Sequence, residues 1–321
     1  MSIIKLINDN SNIKELTKIF NDSFADYVYP LSVTELSLQQ KIQGDNVSLD
    51  YSIGLYNKET NELEGFILHG VDNLENPKRL YNSATGVIPS ARGKSVERCY
   101  NSMIPYYIEK GIESIILEVV TTNNRASKVY ERCGFKIIST INSYKGLINK
   151  DLLKPFLYNH QSGDSGSVEV DEAMNNKINI KKLDCINDDV VEFLSSQNKN
   201  YPMMIPTWSN SIKAIKREFD LGFNKCWIAT TTENDKVNII GFLSVNDQTF
   251  RIRQLFVSPD YRNKNVATNL IHTMALEFNE STTFNFGIDS KFDNTINFFT
   301  KRLGFAYLLS VYEMLLNFEN K

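Results

Sequence analysis

The sequence is poor in the residues that build metal centres. It has three histidines, His69, His160 and His272, and four cysteines, Cys99, Cys133, Cys185 and Cys226. No two cysteines form a C-x-x-C pair and no histidine stands at ligand spacing. That pattern speaks against a metal site and fits reduced thiols in a cytoplasm. No run approaches about 18 consecutive apolar residues, so no membrane span is expected. Met1-Ser2-Ile3-Ile4-Lys5 lacks the basic-then-apolar order of a secretory signal, and none is expected. Lys and Arg total 35 against 38 Asp and Glu, a net charge of −3. A surplus of base is what nucleic-acid binding needs, and it is missing.

What is present is ordinary globular material: 42% hydrophobic and 23% charged residues, which excludes extended disorder, a collagen-like fibre and a coiled-coil rod. A length of 321 residues suggests two domains at about 150 residues each. The stretch poorest in apolar anchors runs from Asn159 to Lys177 and is rich in Ser, Gly and acidic residues, as a linker is. Domains are therefore expected over 1–150 and 177–321, joined by a linker over 151–176.

The two halves repeat. Val87-Ile88-Pro89 returns as Val257-Ser258-Pro259, Arg92 and Lys94 as Arg262 and Lys264, Val96 as Val266, and Gly134-Phe135 as Gly304-Phe305, all 170 residues apart. One constant offset over about fifty residues marks an internal duplication. Superposition is expected to place Val87 on Val257 and Gly134 on Gly304.

Each half reads as strand, two helices, three strands, helix, strand, helix, strand. In the first, Ile13, Leu16, Ile19 and Phe20 give one apolar helical face. Leu80 to Val87 and Ser114 to Val120 read as strands, and Arg125 to Arg132 as a helix stopped by Gly134. In the second, Asn294 to Arg302 reads as the matching helix and Phe305 to Leu315 as the closing strand. The fold class is α/β (α+β): two domains, each a mixed, mostly antiparallel twisted sheet flanked by helices.

The chemical signal follows each Val-x-Pro. A strand ends and a short basic loop enters a helix: Arg92-Gly93-Lys94-Ser95-Val96-Glu97, then Arg262-Asn263-Lys264-Asn265-Val266-Ala267. Unpaired N–H groups and the positive end of a helix dipole converge there, as a diphosphate site requires. Glu97 opposes that role, because its carboxylate falls in the first helical turn. Asn265 supports it, since Asn tolerates a left-handed backbone.

These loops resemble the Arg/Gln-x-x-Gly-x-Gly/Ala loop of the GNAT acyl-CoA N-acyltransferases. Downstream, Asn123-Asn124-Arg125-Ala126, then Tyr130, then Gly134-Phe135, resembles the family's second motif, and Leu117-Glu118-Val119 resembles the strand before it. Both halves take part, so the chain is similar to a tandem GNAT protein. The resemblance implies acetyl-CoA as acyl donor, no metal, and direct attack of an amine on the thioester. It implies that Tyr130 protonates the leaving thiolate. It implies donor contacts from Gly86, Val87, Arg92, Gly93, Lys94, Ser95, Val96 and Asn123. In the second half the matching contacts are Phe256, Val257, Arg262, Asn263, Lys264, Asn265, Val266, Ala267 and Asn294. The strand before the loop should splay over Ser83 to Val87. Acceptor-site residues are expected at Phe24, Tyr27, Tyr29, Tyr81, Asn82 and Trp208.

Two departures bear on activity. The second half has Thr300 at the position of Tyr130, and Asp293 rather than Asn294 at that of Asn123. The strand positions expected to supply a basic carboxylate read Tyr81-Asn82-Ser83 and Arg253-Gln254, so the general base is unassigned. Three readings stand: an N-acetyltransferase with one competent domain, acting on an amine-bearing small molecule or a protein amine; a non-catalytic acyl-CoA-binding or regulatory protein; and a structural pseudodimer. A monomer and a homodimer are both compatible, and a cytoplasmic location is expected.

Overall fold

The computed structural model describes residues 2–7, 13–26, 31–93, 95–157, 178–200, 207–233 and 235–318. The chain divides into two compact units. Residues 1–141 with 309–321 form the first, and residues 142–308 form the second.

In the first unit the strands are β1 (Ser2–Leu6), β2 (Ile53–Asn57), β3 (Leu63–Val71), β4 (Arg79–Val87) and β5 (Ser114–Val120), followed by the opening half of β6 (Lys136–Leu147). The strand order is β1-β2-β3-β4-β5 and then β12 (Ala306–Asn317), which joins from Leu309 onward. Pairing is antiparallel except between β4 and β5. Helices α1 (Ile13–Phe24) and α2 (Glu35–Gly44) cover one face, where Leu16, Ile19, Phe20 and Leu38 pack with Phe66 and Leu68. Helices α3 (Ser95–Glu109) and α4 (Asn124–Cys133) cover the other, where Tyr100, Ile104 and Tyr130 pack with Leu80, Leu117 and Met314.

The second unit repeats the plan. It contains β7 (Ile178–Lys182), α5 (Asp188–Asn200), α6 (Ile212–Asp220), β8 (Asn224–Glu233), β9 (Lys236–Asn246), β10 (Arg251–Val257), α7 (Val266–Ala275), β11 (Thr283–Asp289) and α8 (Asp293–Asn297). Its sheet runs β11-β10-β9-β8-β7, with β10 and β11 parallel. Tyr144, in the outgoing half of β6, stacks on Phe286 at 5.2 Å.

Local rules place the element ends. Asn123 accepts a hydrogen bond from the Ala126 N–H at 3.1 Å and caps α4, satisfying one of its free donors. Gly134 ends that helix at φ +99°, and Gly304 holds φ +72°, a region that glycine enters without cost.

Three sequence expectations differ from the structure. The last strand was expected in the second domain, but Leu309–Lys321 belongs to the first unit, where Val311 to Asn317 pair with Val120 to Ser114. Strand pairing is non-local, so nothing in β12 itself names its partner. The linker was expected to begin at 151, but Asp151–Phe156 forms a 3-10 turn whose Leu153 is buried in the second unit's core. Residues 158–176 of that linker lie outside the described residues. The helix expected over Asn294 to Arg302 is α-helical only to Asn297, then widens into a π-turn over Phe298–Arg302.

Candidate active site

The site begins with strands that part. Parallel pairing of β4 with β5 runs from Arg79 opposite Ser114 to Asn82 opposite Leu117 and stops there. In the second unit the corresponding register is Arg251 opposite Asn285. A bulge marks each parting point: Ser83 is the extra residue in β4 and Arg253 the extra residue in β10. These positions are again 170 apart. The splay expected over Ser83 to Val87 is therefore present, and main-chain groups there have no β5 partner.

A bulge turns two consecutive side chains to one face. Ser83 donates to Asp45 Oδ2 at 2.6 Å, and Ala84 packs among the α1–α2 core residues. In the second unit Arg253 donates to Glu218 Oε1 at 2.5 Å, and Gln254 donates to the Asn210 carbonyl at 2.6 Å. Each bulge is thus anchored to a carboxylate from the second helix of its unit, Asp45 just past α2 and Glu218 in α6. The strand itself offers no carboxylate, in keeping with its sequence.

The two phosphate-type loops differ in how far they are already engaged. Arg92 donates from Nε to the Val87 carbonyl at 3.1 Å, to the Ser23 carbonyl at 3.0 Å, and to both Asp26 oxygens at 2.5 and 2.6 Å. Those bonds hold the Asp26 carboxyl below its ordinary pKa. Gly93 has φ +128° and open space where a Cβ would stand. Ser95 is buried and donates to the Ala91 carbonyl. Val96 packs on the core, and Glu97 pairs with Arg132 at 3.1 Å. Lys94 lies outside the described residues.

In the second loop the exposed Arg262 repeats the Nε contact, to the Val257 carbonyl at 3.1 Å, and its guanidinium lies over the Phe256 ring at 5.9 Å. Asn263 and Asn265 stand at φ +60° and +59°, supplying the left-handed turns that carry the chain into α7. Asn265 does not cap that helix; its Oδ1 accepts from Arg302 at 3.2 Å. Lys264 lies 5.4 Å from the Tyr261 ring centre, and Val266 is buried while Ala267 is half-buried. Phe256 packs edge-on against Phe193. The second loop thus turns twice through left-handed backbone into a helix without a side-chain cap, whereas the first carries Glu97 in its opening helical turn.

Gly86 is required by packing, since a Cβ there would meet the Phe66 ring at 2.7 Å. Asn294 lies inside α8 and is exposed, so it does not reproduce the cap made by Asn123.

Tyr130 is 9% exposed, edge-on to Phe135 in the α3–α4 core. Glu118 is on β5, one residue past the last β4 pairing. Its neighbours Leu117 and Val119 enter that same core, so alternation sends Glu118 to the opposite face. Its Oε1 is buried and accepts no hydrogen bond from the described residues. Glu118 and Tyr130 thus flank the parted strands from opposite faces. In the second unit the β10–β11 register puts Gly287 at the place of Glu118, with Ile288 packed into the core. Phe299 takes the place of Tyr130, its carbonyl accepting from the Phe305 N–H as that of Tyr130 does from Phe135. Thr300, expected there, falls in the π-turn and donates to the Ile296 carbonyl at 2.8 Å. The sequence already showed Glu118 within Leu117-Glu118-Val119; its face follows from alternation, which was the available signal.

Several of the expected acceptor residues are committed to packing or to internal hydrogen bonds. Asn82 is 7% exposed and turns into the α3 side, donating to the Tyr100 hydroxyl at 2.9 Å and to Thr85 at 2.8 Å. Tyr100 in turn lies 3.3 Å from His69 Nε2, and His69 Nδ1 lies 2.8 Å from the Tyr51 carbonyl. A carbonyl only accepts, so Nδ1 carries the proton. Burial lowers the His69 pKa to about 4. Asn82 is therefore held in a buried polar network instead of lining an acceptor wall. Tyr81 is buried, Phe24 is half-buried against Phe20, and Trp208 is half-buried in the turn before α6. Tyr27 and Tyr29 lie outside the described residues.

Comparison with known proteins agrees with this duplicated geometry. Residues 13–135 match the acetyltransferase (GNAT) family and residues 195–312 match an acetyltransferase (GNAT) domain. The chain is 27% identical over 135 residues to "Probable N-acetyltransferase san" of Drosophila melanogaster, covering 41% of this chain and 67% of that protein. Among solved structures, a tandem GNAT protein from the clavulanic acid biosynthesis pathway aligns with TM-score 0.65 at 10% identity, covering 99% of this chain and 98% of that one. A GCN5-related N-acetyltransferase from Sphaerobacter thermophilus aligns with TM-score 0.60 at 11% identity, over 98% and 95% of the two chains. Two family matches, each on one splayed-strand unit, carry the conclusion that this chain belongs to the GNAT superfamily of acyl-CoA N-acyltransferases as a tandem, two-domain member.

Proposed function

We propose that the first unit transfers an acetyl group to a primary amine of a small molecule, with acetyl-CoA as donor. The observation that carries this reading is the pair Glu118 and Tyr130, set on opposite faces of the parted strands β4 and β5. Acetyl-CoA, when bound, supplies an acyl group already activated as a thioester. Main-chain groups of Ser83 to Val87 hold its arm, and the turn at Gly93 with the start of α3 faces its diphosphate. Glu118, whose Oε1 is buried and accepts no hydrogen bond from the described residues, takes a proton from the acceptor's ammonium; the freed amine then forms a bond to the thioester carbon as the carbon–sulfur bond breaks. Tyr130 gives its hydroxyl proton to the departing sulfur. Asp45 and Ser83 hold the bulge that aims the strand's N–H groups at the carbonyl oxygen.

The second unit, with Gly287 and Phe299 in the places of Glu118 and Tyr130, is a non-transferring partner in this reading. Its loop through Asn263 and Asn265 supports retained CoA binding. The chain's four cysteines are free thiols, which supports a reducing compartment, and no described helix is long and apolar enough to cross a membrane.

Equilibrium binding of CoA tests the loop assignment. Arg262→Ala with Lys264→Ala should remove one of two binding events and leave turnover in place. Loss of all acyl transfer in that double variant would move the chemistry to the second unit.

A further inference from the structure

Four polar side chains of the first unit meet on its α3–α4 face, beside the point where the strands part. Asn82 is the last β4 residue paired with β5. It donates to the Tyr100 hydroxyl at 2.9 Å. His69 keeps its proton on Nδ1, against the Tyr51 carbonyl, so Nε2 accepts from the Tyr100 hydroxyl at 3.3 Å. Asn82 also reaches past the bulge. Its amide donates to Thr85 Oγ1 at 2.8 Å and accepts from it at 3.0 Å. Ser83 and Ala84, which lie between, point to the α1–α2 face. The bulge is thus tied on one face by Ser83 to Asp45 and on the other by Asn82 to Thr85.

The second unit makes the contrast. The register partners His69 and Asn82 correspond there to the register partners Val245 and Ile252. The residues 170 positions beyond Thr85 and Tyr100 are Leu255 and Leu270. All four are apolar and pack in that unit's core. The same fold therefore closes on an apolar set, and exchanging bonded polar partners together for apolar groups can be nearly neutral. Folding alone does not call for the polar set. It accompanies Glu118 and Tyr130, and it is missing where Gly287 and Phe299 stand.

We propose that Asn82 is a positioning residue for acyl transfer in the first unit: braced by Tyr100 and His69, it fixes the backbone of Ser83 to Thr85, whose N–H groups face the thioester carbonyl. This rests on the assignment of acyl transfer to that unit. Asn82, Tyr100 and His69 are buried and exchange no proton with a substrate. They act through the main chain, where preset N–H groups stabilise the charge that gathers on the carbonyl oxygen as the amine attacks.

The test uses Tyr100→Phe, which removes one buried hydroxyl and keeps the ring, and Thr85→Val, which removes the far end of the tie. Amide hydrogen exchange is followed in the protein without CoA, CoA affinity by calorimetry, and turnover by thiol release from acetyl-CoA with 1-aminobutane. Exchange at Ser83 to Thr85 should quicken about tenfold in both variants. The kcat should fall about tenfold while CoA Kd and amine KM stay within about twofold, the pattern of an interaction made only in the transition state. Thr85→Ser, which keeps a hydroxyl, should restore most of kcat. A merely structural role would lower stability and leave the kcat of folded protein unchanged. Unchanged kcat in Tyr100→Phe and Thr85→Val, or unchanged exchange in both, overturns the proposal. If exchange quickens as predicted but even wild type releases no thiol, the tie across the bulge holds and the transfer assignment fails.

Discussion

Arg92 grips the Asp26 carboxylate with both terminal nitrogens, at 2.5 and 2.6 Å. The same guanidinium reaches the Ser23 and Val87 carbonyls, so it joins the end of α1 to the end of β4. It is a structural tie at a position where the family pattern suggests a ligand contact. Arg92→Ala should therefore lower stability only modestly, because the Asp26 side chain is 57% exposed and solvent screens the pair. CoA affinity should change less than twofold. Urea unfolding together with CoA titration checks both, and a tenfold loss of affinity at unchanged stability would contradict this role.

Met314 gives a second prediction. It is fully buried in the core of the first unit, although it lies 180 residues beyond Gly134 in the chain. Met314→Ala should destabilise that unit by about 3 kcal/mol, the usual cost of such a cavity. Hydrogen exchange should quicken in β5 while β8 and β9 keep their protection. Faster exchange in the second unit alone would place β12 wrongly.

His69 sets a pH dependence. It is wholly buried, and desolvation lowers its pKa to about 4 from 6.5. Between those values the unfolded chain binds a proton that the folded chain refuses. Stability from this residue is therefore intact above pH 6.5 and falls as pH drops toward 4, by up to ~1.4 kcal/mol per unit. Chemical unfolding at pH 7 and pH 5 measures the slope. His69→Gln should flatten it, and an equal slope in that variant would exclude His69 as its source.

Asn265 tests the second loop. Its φ of +59° suits Asn and Gly but strains a β-branched residue. Asn265→Gly should keep stability and CoA binding, whereas Asn265→Val should lose about 1–2 kcal/mol and weaken CoA binding. Normal CoA affinity in both variants would show that this loop does not hold the diphosphate.

Local chemistry was legible in the sequence and long-range partnership was not. The offset of 170 located both strand ends at Val87 and Val257 and both left-handed glycines at 134 and 304, because each depends on neighbours in the chain. Asn123 was readable as a cap for the same reason. The partner of Arg92 was hidden, since Asp26 lies 66 residues away. The membership of β12 in the first unit was hidden as well. Asn82 was misread as an acceptor contact because the bulge at Ser83 fixes which side chains share a face, and a bulge leaves no mark in composition. Glu118 was not weighed as a base because a basic carboxylate was sought on β4, while the one proposed here lies on β5.

The central claim is that acyl transfer belongs to the first unit, through Glu118 and Tyr130. Single-turnover thiol release from acetyl-CoA, with a saturating primary amine, tests it most directly. Glu118→Gln and Tyr130→Phe should each slow release, by roughly a hundredfold for the tyrosine, the low end of general acid–base effects, because a thiolate leaves fairly well unprotonated. CoA affinity should hold in both, and Thr300→Val in the second unit should release thiol at the wild-type rate. Wild-type rates in Glu118→Gln and Tyr130→Phe, with a slow Thr300→Val, would contradict the account.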